Sequence, residues 1–212
     1  MQTVAIEQLT LFDLEQLDLE QRFGLEEVQE AAFFGEWQRP WPALSGDERA
    51  RLDRVKAAYA NLERRSLLEN TVKLAIVAPL LDLAGLFLPP FYVTTEKTVE
   101  IVAQEAEVIL RGRLDVLVLL EQLWVLVIEA KRAEFSLKVG IPQVLGYMLT
   151  VPDPHRPLYG LVTNGGSFIF IKLQWQGVPR FARSREFILD QDDGLAQTLQ
   201  ILKLLAAEVA QS

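Results

Sequence analysis

Three charged residues stand inside the most apolar part of the chain. Asp115 lies in RGRLDVLVLL, and Glu129 and Lys131 lie in LWVLVIEAKR. Both segments are rich in branched aliphatic residues, which favour buried β-strands. A charge in a buried strand is costly unless it is paired or binds a metal. The placement therefore predicts a site at which two carboxylates and an amine act together.

The spacing of these residues sets a condition on how the two strands pair. Glu129 and Lys131 are two positions apart, so on a strand their side chains point to the same face. A strict two-residue turn at 121–122 would put Asp115 opposite Ile128, on the wrong face. One additional residue would put it opposite Glu129 instead. We therefore predict an odd-length loop or a β-bulge between the strands.

Two neighbouring carboxylates repel each other unless a proton or a cation joins them. The chain has no Cys and a single His, so the fitting metal is a hard cation with oxygen ligands, Mg²⁺, with Mn²⁺ as a substitute. Lys131 then offers a compact charge to a phosphate oxygen or an attacking water. The alternative is that Glu129 and Lys131 form an exposed pair on an edge strand, although the flanking VLVI favours a central strand.

Length predicts one domain, or one domain with an extension. The chain has 212 residues, of which 50% are hydrophobic, enough for a packed core. Residues 1–44 show no clear period and include an acidic stretch and an aromatic, proline-rich stretch, so we expect a helical extension there. Residues 45–212 are predicted to form the main domain.

Two helix starts follow from the capping-box pattern, in which Ser or Thr precedes Glu by three positions. Ser45 with Glu48 precedes apolar residues at helical spacing. Ser66 with Glu69 repeats the pattern before LLENTVKLAIVAPLLDLAG. That segment is apolar nearly all round, so we expect it to be buried.

The remaining elements predict a mixed sheet flanked by helices. The buried helix should kink at Pro79 and end at Gly85, and a later helix should begin at Pro142. Residues 164–166, Asn-Gly-Gly, predict a hairpin turn in which Asn164 is structural. The expected strands and the closing helix are FYVTTEKTVEIVA, EVILRGRLDVLVLL, LWVLVIEAKR, LYGLVTN, SFIFIKL and GLAQTLQILKLLAAEVA.

Charge and composition exclude several classes of protein. A net charge of −8 argues against a protein that coats nucleic acid through bulk electrostatics. The lack of Cys excludes disulfides and thiolate metal sites. No signal peptide opens the sequence and no uncharged apolar run is long enough for a membrane helix, so we expect a cytoplasmic protein without membrane contact. His155, in a proline-rich loop, is expected to be ordinary surface.

Three motifs in order resemble the PD-(D/E)xK nuclease superfamily: GRLDVLV, LVIEAKR and PQVLGYM. Together with LENTVKLAIVAPLLDLAG and GLVTNG, they resemble the amino-terminal nuclease domain of the motor subunit of type I restriction enzymes. The form is a short stand-alone one of the type found in cyanobacteria, and the resemblance covers roughly residues 60–175. It implies a restriction-endonuclease-like fold, a four-to-five-stranded mixed sheet with core order αβββαβ. Leu114 replaces the proline of the first family motif, and no helicase motor is present.

The resemblance also implies roles for individual residues. Asp115 and Glu129 would hold the metal, with the Ala130 carbonyl as an additional ligand, and Lys131 would position the attacking water. Glu69 matches the acidic residue that completes the metal shell in many members. Its alternative role is that of capping-box partner to Ser66.

Four further residues have two open interpretations each. Gln143 and Tyr147 share a helix face, which in the family looks at the site; otherwise they form a solvated polar stripe. Arg111 and Arg113 share the strand parity of Asp115 and would contact substrate phosphates. Alternatively, each neutralises an acidic neighbour such as the glutamates at 105 and 107.

The sequence therefore predicts a Mg²⁺-dependent nuclease acting on DNA, with a homodimer or restriction-complex subunits as further partners. One alternative is a catalytically silent nucleic-acid-binding or scaffold subunit. Another is a phosphoesterase for a small nucleotide, for which we expect a closed pocket in place of an open cleft rimmed by Arg111 and Arg113.

Overall fold

The structure is a computed structural model that describes residues 7–10, 15–29, 31–65, 67–103, 108–120, 123–132, 136–151 and 156–210. Within these ranges the chain is α/β, with a mixed sheet of nine strands between two layers of helices. The predicted class, a mixed sheet flanked by helices, is confirmed. The sheet is larger than the four to five strands predicted. His155, the residues at 105 and 107, and the turn at 121–122 lie outside the described residues.

The elements follow one another in the predicted order of helix, three strands, helix and strand, with additions at both ends. The strands are β1 (Glu7–Thr10), β2 (Glu26–Glu27), β3 (Phe91–Ala103), β4 (Val108–Leu120), β5 (Leu123–Ala130), β6 (Leu158–Thr163), β7 (Ser167–Gln176), β8 (Val178–Arg183) and β9 (Phe187–Ile188). The helices are α1 (Gln16–Phe23), α2 (Gly46–Leu62), α3 (Glu69–Val72), α4 (Ala78–Leu83), α5 (Gly140–Met148) and α6 (Gly194–Ala210), with 3₁₀ segments at Ala31–Gln38 and Leu137–Val139 and a π-turn at Lys73–Val77.

Strands β3, β4 and β5 form an antiparallel meander, and β5 pairs in parallel with β6, which continues antiparallel into β7 and β8. One face of the sheet is covered by α2, α3, α4 and α6, and the other by α1 and α5. Each helix layer buries its own aliphatic cluster against the sheet. Because both faces are covered, the Glu129 side chain on the central strand β5 is held away from bulk water.

The segment 1–44, predicted to be a helical extension, also contributes strands. β1 pairs in parallel with β4, and β2 pairs in parallel with β8. Glu36, in the 3₁₀ segment, accepts hydrogen bonds from Lys172 of β7 and from the Tyr159 hydroxyl of β6. Strand pairing between distant segments leaves little local signal in the sequence, which explains why the prediction was incomplete.

The hairpin between β4 and β5 contains the predicted irregularity. Leu119 pairs with Trp124, whereas Val118 pairs with Leu126, so Val125 is an additional residue on β5. Such a bulge shifts the pairing by one position. The predicted β-bulge is therefore confirmed.

The buried helix is present but differs from the prediction at its start. The first capping box forms at Ser45 as expected. The second does not begin the helix, because α3 has Leu68 as its N-cap and Glu69 as its first residue. Glu69 therefore does not occupy the third helical position that a capping box requires. Ser66 lies outside the described residues.

The middle of this segment is wound as a π-turn. Ala78 donates its backbone N–H to the carbonyl of Lys73, five residues earlier. Pro79, which follows, cannot donate to the helix ladder, and the helix departs from α-geometry in the turn before it; the kink at Pro79 itself stays a prediction. Leu74 is 75% exposed, so burial is confined to one side of the segment, contrary to the expectation.

Gly85 ends this helix, as predicted. It has φ of 76°, in the left-handed region. Its N–H and that of Leu86 donate to the carbonyls of Asp82 and Leu81. This pair of hydrogen bonds is a Schellman motif.

The other predicted local features are mostly present. Asn164 accepts hydrogen bonds from the backbone of Gly166 and Ser167 at the β6–β7 turn, which confirms its structural role. α5 begins at Gly140, two residues before the predicted start at Pro142. Among the described helices, none has the length and apolar composition needed to cross a membrane.

Candidate active site

Asp115 lies where one edge of β4 loses its partner. β3 pairs along nearly the whole length of β4 on one side. On the other side, β1 pairs with residues 108–111 and β5 with residues 116–120. On that side, residues 112–115 have no strand partner among the described residues. Asp115 therefore sits at the point where β4 and β5 separate.

The register brings Asp115 and Glu129 together. The last pair between β4 and β5 is Val116 with Ile128, so the next position would pair Asp115 with Glu129. Directly opposed residues on antiparallel strands share a face. The Oδ2 atom of Asp115 accepts the backbone N–H of Ala130 at 2.8 Å, which fixes the carboxylate beside the end of β5.

Glu129 and Lys131 form a buried ion pair on the side of the sheet covered by α5. Their side chains are 7% and 5% exposed, and the Lys131 Nζ lies 2.8 Å from Glu129 Oε1. The position of Gly140 at the start of α5 allows this, because a Cβ there would lie 3.3 Å from Lys131 Cε and 3.6 Å from Glu129 Cγ. The edge-strand alternative for this pair is therefore wrong.

Burial and, to a smaller extent, the neighbouring Asp115 carboxylate raise the pKa of the Glu129 carboxyl from 4.5 to about 7, against the opposing effect of Lys131. Glu69 raises the same pKa to a smaller extent, so it lies within electrostatic reach of the pair. Glu129 Oε2 is buried and has no hydrogen-bond partner among the described residues. This buried oxygen is therefore available for a proton or a cation.

The two predicted residues on α5, Gln143 and Tyr147, hold other parts of the site in place by hydrogen bonds. Gln143 accepts a hydrogen bond from Lys131, and the Tyr147 hydroxyl donates to the backbone carbonyl of Arg113 at 2.8 Å. Both side chains are buried, so the interpretation as a solvated polar stripe is wrong. Burial, with Glu129 and Asp115, raises the pKa of Tyr147, which keeps the phenol protonated as a donor.

Lys73 is part of the site although its sequence position did not single it out. Its Nζ lies 2.9 Å from Asp115 Oδ1 and 3.4 Å from Glu96 Oε1, and its side chain is 14% exposed. Burial opposes the charge, but the hydrogen bonds and charges of Asp115 and Glu96 outweigh it and raise the pKa of Lys73. A sequence signal exists, because Lys73 follows Glu69 by four positions and helical residues at that spacing share a face.

Glu96 is the second residue that the sequence did not reveal. It lies in β3 between Thr95, paired with Val116, and Lys97, paired with Leu114, and therefore faces the position of Asp115. Its φ is 57°, an uncommon conformation for a residue other than glycine.

The two arginines have different standing. The Arg113 side chain is 68% exposed and pairs with Glu96, so it neutralises an acidic neighbour other than the two expected. Arg111 lies in β4, but its side chain lies outside the described residues.

Among the described residues, no group of three or more Asp, Glu or His side chains is close enough to hold a metal ion. Asp115 and Glu129 are each paired with a lysine instead. The unpartnered oxygen of Glu129 and the raised pKa of its carboxyl nevertheless fit a hard cation placed between the two acids. Ala130 gives its N–H to Asp115, and ligation by its carbonyl stays a prediction.

A cleft of about 370 Å³ opens between the α3–α4 segment and β3. Lys73 and Glu96 line it next to apolar walls that include Leu74, Val77 and Val93. The groove therefore reaches Lys73 and Glu96, whereas Asp115, Glu129 and Lys131 are not among the residues that line it.

No known family model matches this chain, and no curated protein matches it. The fold and the site together define an α/β protein with a two-carboxylate, two-lysine centre, buried at Glu129 and Lys131 and partly exposed at Asp115 and Lys73, where two central strands separate.

Proposed function

We propose that this protein is a Mg²⁺-dependent nuclease with a restriction-endonuclease-like core, hydrolysing phosphodiester bonds of DNA. The observation that carries the proposal is the convergence of Asp115, Glu129 and Lys131 at one site, with a buried Glu129 oxygen that has no hydrogen-bond partner among the described residues. These are the residues that the resemblance to the PD-(D/E)xK superfamily selects. Geometry and motif thus point to the same chemistry from independent starting points.

Asp115 and Glu129 would hold the metal. Glu69 acts on Glu129 through its charge, but the described acids include no group of three that could hold a metal ion together. When bound, the metal supplies Lewis-acid activation of the phosphate and lowers the pKa of its bound water. Lys131, held by Gln143, positions the attacking water and stabilises the charge that develops on the phosphate oxygens. Water adds to phosphorus, the bond to the leaving oxygen breaks, and the leaving oxygen takes a proton.

The exposed Arg113 favours a polynucleotide over a small nucleotide, because its side chain can contact a phosphate that flanks the scissile bond. An extended substrate needs room on both sides of the scissile bond, which an enclosed pocket would not give. A homodimer or partner subunits would follow from the same family resemblance.

A second candidate is a nucleic-acid-binding subunit that keeps the fold without catalysis. It is favoured by one observation, that the described acids are paired with lysines rather than gathered as a three-acid metal site. The intact set of Asp115, Glu129 and Lys131 favours activity.

The deciding experiment is digestion of supercoiled plasmid with Mg²⁺ or Mn²⁺ by the wild type, by Lys131→Met and by the matched control Lys138→Met at an exposed position. We expect cleavage by the wild type and the control, no cleavage in EDTA, and loss of at least about a hundredfold in Lys131→Met. Circular dichroism checks that the buried substitution leaves the fold intact. Equal cleavage by all three proteins would reject the assignment, and binding without cleavage would favour the second candidate.

A further inference from the structure

Lys73 and Asp115 form an ion pair at the place where a metal is needed. We propose that Lys73 is a resident counter-ion that a divalent cation must displace from Asp115, and that Glu96 receives the displaced ammonium group. This inference rests on the proposed function, because it concerns how the same site takes up its metal.

Both oxygens of Asp115 are already in use. Oδ2 accepts the backbone N–H of Ala130 at 2.8 Å, and Oδ1 accepts from Lys73 Nζ at 2.9 Å. The amide of Ala130 is fixed at the end of a central strand, whereas the lysine ammonium ends a flexible four-carbon stem. Lys73 is therefore the partner whose charged group can move away from Asp115. It must do so because an ammonium and a dication placed on one carboxylate repel each other strongly where water is scarce.

Glu96 lies where a displaced ammonium can go. Its Oε1 is already 3.4 Å from Lys73 Nζ, so a small movement exchanges one acceptor for the other. The Asp115 side chain is 18% exposed and that of Glu96 is 42% exposed. The movement thus takes the charge toward water, and it avoids leaving a buried ammonium without a partner, which would be costly.

Two unusual stretches of backbone place these groups. Lys73 is the first residue of the π-turn, a feature that often occurs at functional sites. Glu96 has a left-handed φ inside a strand, a conformation that persists where the surroundings require it. The two irregular segments meet at the contact between Lys73 Nζ and Glu96 Oε1.

The test measures Mn²⁺ affinity by electron paramagnetic resonance, in which free and bound Mn²⁺ are distinguished without any cleavage. Lys73→Met should bind Mn²⁺ at least about tenfold more tightly than the wild type, the effect of removing one charge-assisted competitor. Lys138→Met, which makes the same change of net charge at an exposed position, should leave the affinity close to that of the wild type.

A double-mutant cycle isolates the role of Glu96. Glu96→Gln should weaken Mn²⁺ binding when Lys73 is present and have no effect in the Lys73→Met background. Equal weakening in both backgrounds would make Glu96 a metal ligand and overturn the transfer of Lys73. Unchanged or weaker binding by Lys73→Met would overturn the inference while leaving the nuclease proposal standing. Absence of Mn²⁺ binding in the wild type and in Lys73→Met would reject the metal site, and with it both proposals.

Discussion

Glu129→Gln should make the metal-free protein more stable above neutral pH, although it removes a residue central to the proposed activity. In the folded protein the Glu129 carboxyl is buried next to Asp115, which raises its pKa from 4.5 to about 7. A raised carboxyl pKa means that the folded state prefers the protonated form. Ionising Glu129 therefore costs folding free energy, and glutamine resembles the protonated carboxyl without being able to ionise.

The pH window and the magnitude follow from the two pKa values. The stabilising contribution of protonated Glu129 is fully present below about pH 4.5 and is lost as the pH rises through about 7. Each pKa unit corresponds to about 1.4 kcal/mol, so the full loss is about 3 kcal/mol. The free energy of unfolding of Glu129→Gln, relative to that of the wild type, should rise by this amount between pH 4.5 and pH 8. The ion pair with Lys131 is already included, because Lys131 lowers the same pKa.

The assay is urea denaturation of both proteins in EDTA at pH 4.5, 6, 7 and 8, with the free energy of unfolding obtained by linear extrapolation. Glu186→Gln, at an exposed position, serves as the control and should follow the wild type at every pH. If the free energy of unfolding changed with pH equally in the wild type and in Glu129→Gln, the reasoning would be refuted. Saturating Mn²⁺ should stabilise the wild type at pH 8 but have little effect on Glu129→Gln, since the ligand is then lost.

Three further substitutions test how the site is held. Gln143→Ala removes the hydrogen bond that anchors Lys131 and should lower the cleavage rate about tenfold or more with little change in circular dichroism. Tyr147→Phe removes a buried hydrogen bond to the β4 backbone and should lower the free energy of unfolding by about 1 kcal/mol, whereas the exposed Tyr92→Phe should have no measurable effect. Gly140→Ala places a Cβ 2.6 Å from a β6 side chain and should cost about 1–3 kcal/mol while also reducing cleavage; wild-type stability in this variant would contradict the described packing of α5.

The sequence revealed the parts of the site that depend on periodicity. Strand parity placed Glu129 and Lys131 on one face, and the same parity required an additional residue before Asp115 could join them. The structure has that residue at Val125. Alternation along a strand is a local rule with a period of two, so a single sequence is enough to apply it.

The residues that sequence analysis missed depend on contacts between distant segments. Glu96 owes its importance to a left-handed φ opposite Asp115, and the segment TTEKT contains no glycine or asparagine that would have indicated such a conformation. Lys73 could have been selected by its helical spacing from Glu69. The contact of Lys73 with Asp115 could not be predicted, because the approach of the π-turn to β4 depends on tertiary packing. The same limit explains the strands at the amino terminus.

Strands β1 and β2 give the amino-terminal segment a structural role in the sheet. β1 lies against β4 along 108–111, a few residues from the gap that ends at Asp115, and β2 closes the far side of the sheet against β8. A chain shortened to begin at residue 45 would uncover hydrogen-bonding groups of β4 beside the carboxylates, and bare strand edges readily recruit other chains. β1 and β2 are thus part of the sheet, and a chain without them should associate with other chains through the uncovered edges of β4 and β8.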